Sequence, residues 1–177
     1  MLTLRILALL AAALLPLPSV AEVVDNGAEL RLFIPVNPVG ISFSKDDWTI
    51  QKEKRKSGGM GAYYLMYSGK RLMNFSVYIE KSTACSSADA CLDATLKNKM
   101  YDDAQDMQRA TVGPFKAAFF YLDKPMGQQL YQSNLQASAL VDGIWFDVHL
   151  SMVGKERPDV NLLLEFLKTV TIQQSNP

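Results

Sequence analysis

The chain has 177 residues, with 18 Lys plus Arg balanced by 18 Asp plus Glu, 49% apolar residues, two cysteines and one histidine. That inventory describes an ordinary globular protein and excludes a disulfide-dense miniprotein, a strongly charged tail protein and a histidine-rich metal site. With so little net field, nucleic acid is not an expected partner.

Met1 to Ala21 opens with Arg5, runs through uninterrupted apolar residues from Ile6 to Leu15, and closes through Pro16, Pro18, Ser19 and Ala21. A positive start, an apolar centre too short to span a bilayer, and small residues before the cut make a secretory signal peptide. Cleavage is expected after Ala21, with a periplasmic or secreted destination and no transmembrane segment afterwards. The expected organisation is a signal peptide over 1–21, an N-terminal lead-in over 22–38, and a single α+β domain over 39–174.

In the lead-in, Leu30, Leu32 and Ile34 alternate, but Pro35 and Pro38 interrupt them, so the segment reads as a short edge strand at most. Ile41-Ser42-Phe43 and Trp48-Thr49-Ile50 are strands divided by a polar turn. The run Lys52 to Lys56, followed by Gly58, Gly59 and Gly61, reads as the exposed end of a long hairpin. Lysines there protect an edge from unwanted pairing, a stronger reading than a phosphate or lipid site. The return strand spans Ala62 to Tyr67, and the next places Met73, Phe75, Val77 and Ile79 on one face.

A helix is expected next, capped by Ser86 or Ser87, carrying an Asp93 to Lys97 pair, and running to about Met100 or Met107. Asp102, Asp103 and Asp106 lack the ligand rhythm of a calcium loop and read as its solvated end. Cys85 and Cys91 form an even pair in an exported chain, so a disulfide is the default. Six residues of continuous helix would put the two side chains out of bonding reach, so Cys85 must precede the helix. Phe115 to Leu122 is apolar on both faces and needs cover on both. A last helix is expected from Pro158, with Val160, Leu163, Leu164 and Leu167 as its stripe and Leu162 and Phe166 widening it, then a strand near Thr169 to Ile172.

Asp142-Gly143 between alternating apolar runs predicts a type I′ hairpin. Val141 then faces Ile144, and Ala139, Ala137 and Leu135 face Phe146, Val148 and Leu150. The other face carries Leu140 with Trp145, Ser138 with Asp147, Gln136 with His149, and Asn134 with Ser151. Asp147, His149 and Ser151 have the residue types of a hydrolytic triad. Alternate residues of one strand stand roughly 6 to 7 Å apart, however, which does not provide a triad's contacts.

A short Ile41-Ser42-Phe43 strand followed by Trp48, antiparallel strands to Ile79, a helix, the Phe115 to Leu122 strand, a long hairpin and a closing helix ending Phe166-Leu167-Lys168-Thr169-Val170 form an ordered series. That order resembles the exported bacterial members of the PsbP-like α/β/α sandwiches. The resemblance lies in element order and hydrophobic placement, and it implies a mostly antiparallel sheet with two main helices packed on it. It also implies a non-catalytic accessory role; no family site residue is carried over.

The leading functional expectation is therefore a non-catalytic periplasmic accessory or interaction module, engaging an unknown periplasmic protein or a small ligand. The alternative is a small-ligand or lipid carrier, and a hydrolase comes third. Candidate contact residues are Gln136, Trp145, Asp147 and His149; no cofactor or metal is implied.

Overall fold

Positive φ at both Asp142 (51°) and Gly143 (75°) closes the expected type I′ turn between Tyr131–Val141 (β9) and Ile144–Gly154 (β10). This is seen in a computed structural model of the protein, which describes residues 23–34, 37–81 and 85–174. The signal-peptide segment lies outside the described residues. Val141 faces Ile144, Ala137 faces Val148 and Gln136 faces His149, and the register continues unbroken to Tyr131 opposite Gly154.

In chain order the other strands are Val23–Asp25 (β1), Glu29–Ile34 (β2), Asn37–Ser44 (β3), Trp48–Arg55 (β4), Gly61–Ser68 (β5), Met73–Lys81 (β6), Gln105–Val112 (β7), Phe115–Asp123 (β8) and Thr171–Gln174 (β11). The helices are Ala88–Leu96 (α1) and Asn161–Thr169 (α2). The fold is α+β and dominated by antiparallel sheet. One sheet has the order β4-β5-β6-β10-β9-β8-β7 and the other β1-β2-β3-β11.

The two sheets share one core. On the large sheet, Phe75, Val77 and Ile79 of β6 continue into Phe146, Val148 and Leu150 of β10, then Ala137 and Leu135 of β9. Against this face lie Leu32 of β2, Ile41 and Phe43 of β3, and Leu163, Phe166 and Leu167 of α2. Phe43, Trp48, Phe75 and Phe166 pack with ring centroids 4.9 to 6.3 Å apart, mostly edge to face.

The segment over 22–38 is more than a lead-in. Leu30, Leu32 and Ile34 are almost fully buried in β2, which is paired on both sides. The short β1 protects its outer edge, and the prolines fall beyond the alternating run rather than within it. The Lys52 to Lys56 end of β4 is exposed at the border of the large sheet, as expected.

The first helix ends at Leu96 rather than at Met100 or Met107. Asn98 is extended and its side chain accepts from the Met100 amide, capping a short 3-10 turn at Lys99–Tyr101. The chain then returns as β7, whose outer position leaves most of its side chains exposed and its apolar period silent. Asp93 consequently meets Arg109 of β7 at 2.7 Å, and Asp106 meets Arg157 at 2.9 Å. The second helix starts at Asn161, not Pro158. The Pro158 carbonyl instead accepts from Ser133 Oγ, and the Asp159 side chain accepts from the Asn161 amide. Of the expected stripe, Val160, Leu163 and Leu167 are buried and Leu164 is half-buried against the core; of the two residues that widen it, Phe166 is buried and Leu162 is exposed.

Cys85 and Cys91 are joined as a disulfide, with Cα atoms 5.3 Å apart. Ser87 caps α1 by accepting from Ala90 N, so Cys85 lies before the helix and Cys91 within its first turn. No helix among the described residues is long and apolar enough to cross a membrane.

Candidate functional site

The second face of the large sheet is polar at its centre. Strand alternation places Trp145, Asp147, His149 and Ser151 of β10 on it, between Tyr78, Ser76 and Asn74 of β6 and Ser138, Gln136 and Asn134 of β9. Further along lie Ala118 and Phe120 of β8.

Among the described residues, only part of this face is roofed. Helix α1 packs on β8 and β9, held at its rim by Asp93 with Arg109 and Asp89 with Lys116. The turn after it lays Tyr101 edge-on against Phe120, with centroids 5.2 Å apart. Under this roof Gln136, Ser138 and Asn134 are buried. On the β6 and β10 side, Tyr78, Trp145, Asp147 and His149 stay half-buried.

Buried polar groups need partners, and here they form two short chains. Tyr101 donates its hydroxyl hydrogen to Gln136 Oε1 at 3.1 Å, and Gln136 Nε2 donates to Asp147 Oδ1. In the second chain, Gln132 Nε2 donates to Asn134 Oδ1 at 2.8 Å, and the same oxygen lies 3.1 Å from His149 Nε2. An oxygen accepting from both sides requires His149 to carry its proton on Nε2, which leaves Nδ1 as an acceptor. Trp145 Nε1 donates to Ser138 Oγ at 3.3 Å, and the Trp145 ring meets Tyr78 edge to face at 5.7 Å.

Asp147 and His149 touch solvent, yet protein surrounds them on every other side, and that desolvation governs both. Burial pushes the Asp147 carboxyl up to about 7, partly offset by the Gln136 amide. Burial pushes the His149 imidazole down to about 4, so it is neutral at ordinary pH. The Tyr101 phenol rises to about 12, through burial and then the nearby negative charge of Asp147.

The structure thus brings Gln136, Trp145, Asp147 and His149 together on one face. Asp147 and His149 each bond to a β9 carboxamide rather than to each other or to Ser151. Tyr101 and Asn134 were not anticipated as members of this site. Asn134 had a register position but no local mark of function, and Tyr101 enters only because the chain reverses after α1. The disulfide at Cys85 and Cys91 ties the start of that roof.

No protein-family model matches the chain, and no curated protein matches it. Among solved structures it is similar to a crystal structure from Bacteroides thetaiotaomicron VPI-5482, with 15% identity and a TM-score of 0.47. The match covers 76% of this chain and 45% of that one, so the chain spans less than half of that protein's length.

Proposed function

We propose that the protein is an exported, non-catalytic accessory module that works by binding a small ligand on the open half of its polar face. The observation that carries this reading is the incomplete roof. Helix α1 and Tyr101 cover the β8 and β9 side, while Trp145, Asp147 and His149 stay half-buried beside it. A surface that holds a desolvated carboxylate and imidazole without covering them has the character of a binding site. The absence of bonds among Asp147, His149 and Ser151 favours binding over triad chemistry.

Export is supported by the signal-peptide pattern of Met1 to Ala21 and by a disulfide, which persists in oxidising compartments. Helices on opposite faces of an antiparallel sheet are compatible with a PsbP-like α/β/α sandwich, and we assign the chain to that architecture as part of the same reading.

The test is an amide chemical-shift map of the mature, oxidised protein against the small-molecule fraction of its host's periplasm. Shifts concentrated on β6 and β10 around Tyr78, Trp145, Asp147 and His149 are expected. Shifts confined to another surface, or none at any concentration, would overturn the reading.

A further inference from the structure

Lys52 and Lys54 of the edge strand β4 stand on this face without a carboxylate among the described residues, but three strands away from β10. The cations nearer the site each have one. Lys56 Nζ lies 2.6 Å from Glu80 and 5.4 Å from the centre of the Tyr78 ring. Arg109 is paired with Asp93 and Lys116 with Asp89. His149 is neutral. Asp147 is left with no cation among the described residues; its one side-chain partner is the amide of Gln136.

The free atoms of Asp147 and His149 are acceptors: Asp147 Oδ2 and His149 Nδ1 have no hydrogen-bond partner among the described residues, and neither is fully buried. Asp147 has a second carboxylate oxygen, and His149 presents Nδ1 because its Nε2 proton is taken by Asn134. Glu80 lies one diagonal step away, opposite Trp145. Three N–H and O–H donors of the site are already engaged, Trp145 Nε1 with Ser138, Gln136 Nε2 with Asp147, and Tyr101 OH with Gln136. The Ser76 and Ser151 hydroxyls on this face can accept as well as donate. Trp145 and Tyr78 add aromatic rings, whose faces attract cations. An acceptor-rich, aromatic-flanked carboxylate without a counter-ion is complementary to a cation that brings its own N–H donors.

We propose that this site binds an organic cation bearing N–H groups, a primary ammonium or guanidinium, seated on Asp147 between His149 and the Trp145–Tyr78 pair. The proposal rests on the reading of this face as the binding surface and names the ligand class for it. Such a cation would replace lost water around the carboxylate, so Asp147 should ionise on binding and release a proton where it was protonated.

The experiment is a calorimetric and NMR titration of the mature, oxidised protein with agmatine, n-butylammonium, tetramethylammonium, n-butanol and butyrate. Agmatine and n-butylammonium are expected to shift the Trp145 indole and β10 amides. Tetramethylammonium, lacking N–H donors, should bind at least tenfold more weakly, and butanol and butyrate should not bind. Asp147→Asn, which preserves shape, should lower agmatine affinity at least tenfold, and His149→Gln less. If Asp147→Asn fails to fold, the wild-type protein still decides, because affinity should rise with pH towards 7 and proton release should be measurable in buffers of different ionisation heat. Butanol or butyrate binding at this face as tightly as agmatine would overturn the cation assignment while leaving the binding surface intact. So would silence to every probe while periplasmic small molecules still shift β10. Silence to probes and extract together would overturn the binding surface itself.

Discussion

The Tyr101 hydroxyl donates to Gln136 Oε1 at 3.1 Å, and this bond turns the amide so that its nitrogen meets Asp147. A residue of the roof thereby sets the environment of a carboxylate on the open side. Tyr101→Phe keeps the ring against Phe120 but removes the donor. It should cost about 1 kcal/mol in urea denaturation, the usual net value of a hydrogen bond. With Gln136 free to rotate, the Asp147 carboxyl should titrate higher still in a carbon-detected NMR titration. An unchanged Asp147 titration would show that Tyr101 does not hold the amide.

Asp147 and His149 make opposite contributions to pH dependence. Folded Asp147 keeps its proton up to about pH 7, against an ordinary value of 3.8, so its contribution to stability is lost as pH rises through that window. Folded His149 gives up its proton near pH 4, against an ordinary 6.5, so its contribution grows as pH rises between those values. Between about pH 4 and 6.5 the two nearly cancel in the wild type. Asp147→Asn should gain relative to wild type as pH rises towards 7, whereas any advantage of His149→Gln should be greatest near pH 4 and fade by 6.5. Each relative slope should stay below one proton, because both groups touch solvent. Parallel stability profiles for all three proteins would contradict the burial of both groups.

The hairpin that carries this site was legible because two local signals agreed: Asp-Gly demanded the turn, and alternation on both strands demanded the same register. Tyr78, Ser76 and Asn74 could be placed on one face of β6, but nothing local says that β6 pairs with β10, because that contact joins distant parts of the chain. The region after Leu96 failed for a different reason. An outer strand such as β7 buries little, so Gln105 to Val112 has no apolar rhythm to read. Without that strand the sequence pattern extends the helix, and Tyr101 reads as one more helical residue instead of part of the turn after it. The alternation of Leu30, Leu32 and Ile34 is visible in the sequence, but prolines close by point to an edge strand at most, whereas all three are buried.

The disulfide should matter locally. A bond across so short a loop stabilises by about 2 kcal/mol in the chain-entropy description. Replacing both Cys85 and Cys91 by serine should lower stability by that order. It should also raise amide exchange in α1, where the bond anchors the first turn. Protection in β9 and β10 should persist, because their pairing does not depend on the roof. Equal loss of protection across the sheet would show that the roof and sheet unfold as one unit.

Phe33 stands opposite Gly40 across β2 and β3, and its ring lies directly over the glycine. A Cβ built on Gly40 would sit 2.3 Å from Phe33 Cδ1 and 2.7 Å from the Leu32 carbonyl oxygen. An aromatic ring covering a cross-strand glycine protects backbone that has no side chain of its own. Gly40→Ala should therefore cost about 1 to 3 kcal/mol, since the ring must leave its place and the carbonyl cannot easily move. Phe33→Ala removes one of the two obstacles. The double variant should thus be less destabilised than the sum of the single variants, by about 0.5 kcal/mol or more. A residual cost should remain from the Leu32 carbonyl. Additive single-variant costs would show that the ring yields freely and that the backbone carbonyl alone accounts for the glycine.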